Sequence, residues 1–114
     1  MLFRSHEKAL AIAIEIGDRQ EEGRINGNLG SVFYSLREYP KAKEYDKKAL
    51  AIAIEIGDKR GEGAAYERLG FVFNSLGENQ NAKEYYMKAL AIALETGDRH
   101  GEGQIYEGLV VLFS

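Results

Sequence analysis

The sequence predicts an all-α chain, an α-solenoid of about six helices arranged as antiparallel pairs. Three observations carry that expectation. The phrase KALAIAIEIGD at Lys8 to Asp18 recurs letter for letter at Lys48 to Asp58 and returns as KALAIALETGD at Lys88 to Asp98. A shift of roughly 40 residues aligns the chain with itself almost throughout, which is the signature of a stack built from one supersecondary unit. Gly17-Asp18, Gly57-Asp58 and Gly97-Asp98 each separate two apolar-periodic stretches, glycine being common just past a helix end and aspartate favoured as the next N-cap.

Residues 1–17 hold one repeated phrase and read as the second helix of a pair whose first member is missing. Residues 18–57 form a complete repeat. Its first helix runs from about Arg19 to Leu36, with Ile25, Leu29, Val32, Phe33 and Leu36 at helical spacing as packing residues. Gly30 inside this helix costs about 0.5 to 1 kcal/mol relative to alanine, so close approach of the partner helix at Ala42 is expected to compensate. Gly23 and Gly27 predict a loosened first turn. The ALAIAI alternation of the second helix resembles a half-buried strand, but alanine is the best helix former and is depleted in strands. As a helix, residues 41–56 bury one stripe through Ala42, Tyr45, Ala49, Ile52 and Ile56 and another through Leu50 and Ile54. Residues 58–97 repeat the unit with Tyr66, Leu69, Val72, Phe73 and Leu76, with Gly70 facing Ala82 and with Gly61 and Gly63 in the first turn. Residues 98–114 read as the truncated first helix of a further repeat.

The 114 residues carry 15 basic and 18 acidic side chains for a net charge of −3, with no basic stripe to neutralise phosphates, so no nucleic acid is expected as a partner. Cysteine is absent, which removes disulfides and thiolate metal sites and favours a reducing compartment. MLFRSHEK shows no signal-peptide core, and the apolar runs fall far short of the roughly 20 residues of a membrane span. The expectation is a cytoplasmic protein with no membrane partner, no metal and no cofactor. His6 and His100 stand in different repeats without a further ligand at spacing, and GDKRGEG lacks a phosphate-cradling arrangement, so no enzyme is predicted.

The stretch Tyr66-x-x-Leu69-Gly70-x-x-Phe73, followed by Ala82-x-x-x-Tyr86 and Ala89, resembles the tetratricopeptide (TPR) repeat signature. The first repeat departs at Asn26 and Asp46, where aromatics are expected, and Val110 replaces the glycine of the third. The long period and the GD-[RK]-x-x-E-G phrase look most like the repeats of Pins-like spindle-orientation adaptors and, more distantly, of kinesin light chain. The resemblance implies a right-handed superhelix whose concave surface, lined by the first helix of each pair, binds a peptide or helix of a partner protein. In the Pins-like adaptors an Asn just before Leu-Gly contacts the ligand backbone, and here only Asn28 stands at that place. The Lys/Asn pattern with which chaperone-binding members clamp a terminal carboxylate is absent.

Positions that differ between repeats form one helical stripe opposite the packing residues. Arg24, Asn28, Ser31 and Tyr34 in the first repeat correspond to Ala64, Arg68, Phe71 and Asn74 in the second. Glu67, Gln104 and Glu107 belong to the same stripe. By the resemblance these ten candidates, Ala64 aside, line the groove, although unconstrained solvent positions drift into the same pattern. Arg24, Asn28 and Arg68 offer donors to carboxylates or to an extended backbone, and Phe71 offers an apolar anchor. The ends suggest a second possibility. Leu109, Val110, Leu112 and Phe113 form an apolar face with no following helix, and two readings stand: Leu2, Phe3, Leu10 and Ile14 of another molecule cover it, giving a homo-oligomer, or the sequence is a fragment of a longer array whose further repeats cover it.

Overall fold

The computed structural model describes residues 2–113, the side chains of Leu2 and Phe3 excepted. Six helices follow one another: α1 (Leu2–Ile16), α2 (Arg19–Ser35), α3 (Tyr39–Ile56), α4 (Lys59–Ser75), α5 (Asn79–Thr96) and α6 (Arg99–Leu112). Two or three residues join each to the next, and each packs on its neighbour in sequence, so the chain is a stack of antiparallel helix pairs.

The helix boundaries follow from the repeated phrase. Gly17, Gly57 and Gly97 close α1, α3 and α5 in the left-handed region at φ of 75°, 72° and 73°. The amide of the following aspartate then donates back to the carbonyl of Ala13, Ala53 or Ala93 at 2.9 Å. The side chains of Asp18, Asp58 and Asp98 turn forward and accept from the amides of Glu21, Gly61 and Gly101 at 3.1, 2.9 and 2.9 Å. The turn after α2 has Arg37 at φ 61°, whereas Gly77 takes that conformation at φ 77° after α4.

One apolar cluster joins α1 to α4 through Ala13, Ile25, Leu29, Phe33, Ala42 and Val72. A second joins α4, α5 and α6 through Leu69, Phe73, Ala82, Tyr86, Ala89, Ala93 and Ile105. The aromatic pairs Phe33–Tyr45 and Phe73–Tyr85 stack with interplanar angles of 11° and 5°, so the same contact recurs in both repeats. Two expected stripe members are not buried: Ile54 is 53% exposed and Ile56 41%, whereas the buried side of α3 runs through Ala42, Asp46, Ala49, Ile52 and Ala53. Leu36 lies past the end of α2 and is also exposed.

The glycines correct two further expectations. No first turn is loosened at Gly23, Gly27, Gly61 or Gly63, all of which lie within regular helix. A Cβ added at Gly23 would stand 2.9 Å from Cγ2 of Ile52, and one at Gly63 2.8 Å from Cγ2 of Ile92, so each glycine is the seat of an isoleucine from the next helix. Nor is Ala42 or Ala82 what Gly30 and Gly70 accommodate. A Cβ at Gly30 would collide with the Asp46 carboxylate, and one at Gly70 would stand 2.6 Å from the Tyr86 ring. The missing side chain makes room for a side chain of the following helix, Asp46 in one layer and Tyr86 in the next.

Helices α2 and α4 touch, as do α4 and α6, whereas among the described residues α1, α3 and α5 make no such contact with one another. The first helices of successive pairs therefore converge on the inner side of the stack.

Candidate functional site

Four hollows run along the side formed by α2, α4 and α6. The largest, about 350 Å³, has Arg24, Asn28, Ser31 and Arg68 in its lining, with Ala49, Ile52 and Ala53 at its floor. Beside it, a hollow of about 170 Å³ lies between Ser31, Tyr34, Arg68 and Phe71. Farther along, about 300 Å³ is enclosed by Phe71, Asn74, Tyr86, Gln104, Glu107 and Val111. A fourth, about 220 Å³, is bordered by Arg60, Glu67, His100 and Gln104. All ten residues singled out from the differences between repeats line one of these four.

Their roles are not equal. Arg68 was expected as an open donor, yet its Nε lies 2.9 Å from Oδ1 of Asp46, a carboxylate only 1% exposed. The guanidinium crosses from α4 over α2 to reach it, passing where a Cβ at Gly27 would stand 2.9 Å from Nη2. In the next layer Tyr86 occupies the place of Asp46, and Gly108 the place of Arg68. A Cβ at Gly108 would lie 2.8 Å from Cζ of Tyr86. The two layers thus fill one site in two ways, an aspartate with an arginine in one and a tyrosine with a glycine in the other. Asp46, which broke the repeat signature, is explained by Arg68 in the following repeat.

Tyr34 is half-buried, in tilted ring contact with Tyr39 and 3.3 Å from the Ser75 hydroxyl, so it braces the inner surface. Arg24 pairs with the half-buried Glu21 of its own helix, and Asn28 and Ser31 are exposed. Phe71 meets Tyr86 edge-on at 5.4 Å and turns a half-buried face to the hollows on either side of it.

Two carboxyls on this side are perturbed. Burial pushes Asp46 up to about 6 although the charge and hydrogen bond of Arg68 oppose the shift. Burial, and then the Asp98 charge, raise Glu67, against the pull of Arg68 and His100. Because the folded protein holds a proton on Asp46 at pH values where the unfolded chain has lost it, the contribution of Asp46 to stability declines as pH rises from about 4 through about 6 and then levels off. The span corresponds to about 3 kcal/mol. Thermal melts between pH 4 and 8 should show this decline, and Asp46→Asn should remove that residue's share of it while leaving the share of Glu67.

At the ends of the stack, Leu10 packs into the first cluster, and Leu109 and Leu112 pack into the second. These three residues, expected to serve association, are already engaged within the chain. Ile14, Val110 and Phe113 are 56%, 67% and 71% exposed. The side chains of Leu2 and Phe3 lie outside the described residues. Sequence reasoning missed Ile12 and Ile16, 57% and 70% exposed, and the register that makes Ile12 the counterpart of the buried Ile52 would have found the first of them.

Helical hairpins of one length, stacked so that their first helices share an inner surface, define the class of helical-repeat scaffolds. Two family models described as tetratricopeptide repeat match, one over residues 27–56 and the other over residues 63–96, together 64 of the 114 residues. The chain belongs to the tetratricopeptide repeat family, whose members generally mediate protein–protein interactions. The matched models are general to the family and lend no support to a Pins-like subtype. No curated protein matches the chain. Among the described residues no helix is long and apolar enough to cross a membrane, and no three His, Asp or Glu side chains are grouped to hold a metal.

Proposed function

We propose that the chain is a non-catalytic interaction module, with complete repeats at 18–57 and 58–97, that holds a segment of a partner protein along the inner side of α2, α4 and α6. The observation that carries this reading is the coincidence of two independent patterns. Every residue singled out because the repeats disagree lines a hollow on a single side of the stack. Residues that merely drifted in solvent have no reason to line connected concavities.

The chemistry of the surface narrows the occupant. Arg24 and Asn28 present donors at one end, and Phe71 with Val111 presents apolar surface farther along. An extended peptide carrying an acidic residue and, several residues away, a large apolar one satisfies both. Arg68 contributes field rather than a contact, since its guanidinium is held by Asp46. A reducing, cytoplasmic setting suits a chain without cysteine.

Panning a displayed library of random peptides against the chain tests the reading. Enriched peptides should share an acidic and an apolar position. Arg24→Ala with Asn28→Ala should weaken them about tenfold or more, the loss of one or two charge-assisted hydrogen bonds, and Phe71→Ala should weaken them independently. Peptides that bind these variants and the parent chain equally would place the interaction elsewhere.

A further inference from the structure

The two ends of the stack carry the two halves of a contact that the interior makes twice. Ile52 of α3 seats on Gly23 of α2, and Ile92 of α5 seats on Gly63 of α4. Both isoleucines are buried, at 4% and 7% exposure. The third seat in the series is Gly103 of α6, and among the described residues nothing lies within 4 Å of a Cβ built there. The third isoleucine is Ile12 of α1, which is 57% exposed. One end therefore presents an empty seat and the other an unseated side chain of the shape that fills the same seat inside the molecule.

The surrounding residues match as well. Residues Lys8 to Asp18 are identical to Lys48 to Asp58, so the apolar surface that α1 offers is the one that α3 already applies to α2. Lys88 lies 5.6 Å from the centroid of Tyr66, and the corresponding pair across an α6–α1 contact is Lys8 over the exposed Tyr106.

We infer that α1 of a second molecule docks along the open side of α6, with Ile12 seated on Gly103, so that molecules join head to tail and continue the repeat. The occupant is another copy of this chain because the seat is shaped for an isoleucine that this chain displays in the same sequence context. The contact is heterologous. Among the described residues of one molecule α1 packs on α2 alone while α6 packs on α4 and α5, so the two surfaces stand at opposite ends and growth does not close at a dimer. The fit is tightest at the Gly103 end. Val110 stands where Gly30 and Gly70 admit Asp46 and Tyr86, and α1 carries His6 at that position, so the far end is wedged and the joint is weaker than the hairpins it copies.

Sedimentation over a series from micromolar to millimolar protein tests the inference. The weight-average mass should rise continuously and pass the dimer. Ile12→Lys and Gly103→Leu alter an exposed residue and an open position, so each should keep the parent's helical circular dichroism and melt no lower than the parent monomer, Gly103→Leu somewhat higher because leucine is the better helix former, while remaining monomeric throughout. Mixed in equal amounts, the two variants retain one working surface each and should form a one-to-one pair that grows no further. A parent chain that stays monomeric at every concentration would overturn the inference. So would growth by either single variant, or a mixture that fails to pair.

Discussion

Replacing Arg68 by glycine is expected to lower stability by about 3–5 kcal/mol at pH 7, and adding Asp46→Tyr to that variant should return most of the loss. Arg68 is the cation that accompanies Asp46, and a buried carboxylate stripped of its partner keeps its desolvation cost without compensation. The double variant installs the solution used one layer on, where Tyr86 lies beneath Gly108. Room for the ring is already provided, since Gly30 stands in the first layer as Gly70 does in the second. Recovery should stop short of complete because Ser31 occupies the place of Phe71, which meets the Tyr86 ring edge-on in the second layer. Urea unfolding of the parent, the two single variants and the double variant closes a cycle whose coupling should exceed about 2 kcal/mol. Additive effects would mean that the two sites do not share one volume.

Tyr86→Ala is expected to cost about 3–5 kcal/mol, the range for removing a buried aromatic ring. The side chain is fully buried, meets Phe71 edge-on, and fills the space left by both Gly70 and Gly108. Little of that cost belongs to the hydroxyl, which finds no hydrogen-bond partner among the described residues. Tyr86→Phe should therefore be neutral or stabilise by about 1 kcal/mol, since an unpaired buried polar atom is penalised. A third variant sharpens the result. Gly70→Ala alone should destabilise by about 1–3 kcal/mol through collision with the ring. In the Tyr86→Ala background the same change should stabilise, as alanine is the better helix former once the ring is gone. Denaturation of these four variants measures all three claims, and an equal cost for Gly70→Ala in both backgrounds would refute the packing account.

What the sequence disclosed was whatever repeats. Gly-Asp punctuation located the helix ends at Gly17, Gly57 and Gly97 because a left-handed residue followed by an N-cap is a local requirement, visible without knowledge of neighbours. The candidate surface was legible for the opposite reason, as the stripe on which otherwise matching repeats part company. What stayed hidden depended on pairs far apart in the chain. Nothing near Gly23 announces Ile52, and Asp46 looks like a defect until Arg68, 22 residues later, is set beside it. Ile54 and Ile56 were misjudged because an apolar residue on a helix says that burial would be favourable, not that a neighbour is present to supply it.

Near-identical modules face a hazard during folding, since a helix that docks one unit too far along finds almost the same surface. The exchange of an aspartate and arginine for a tyrosine and glycine guards against this. If α3 took the place of α5, Asp46 would be sealed against Gly108 with no cation. If α5 took the place of α3, the Tyr86 ring would be forced into Arg68. Either misthreading is penalised from inside the protein, so the two departures from the common pattern act as a lock and key for assembly order.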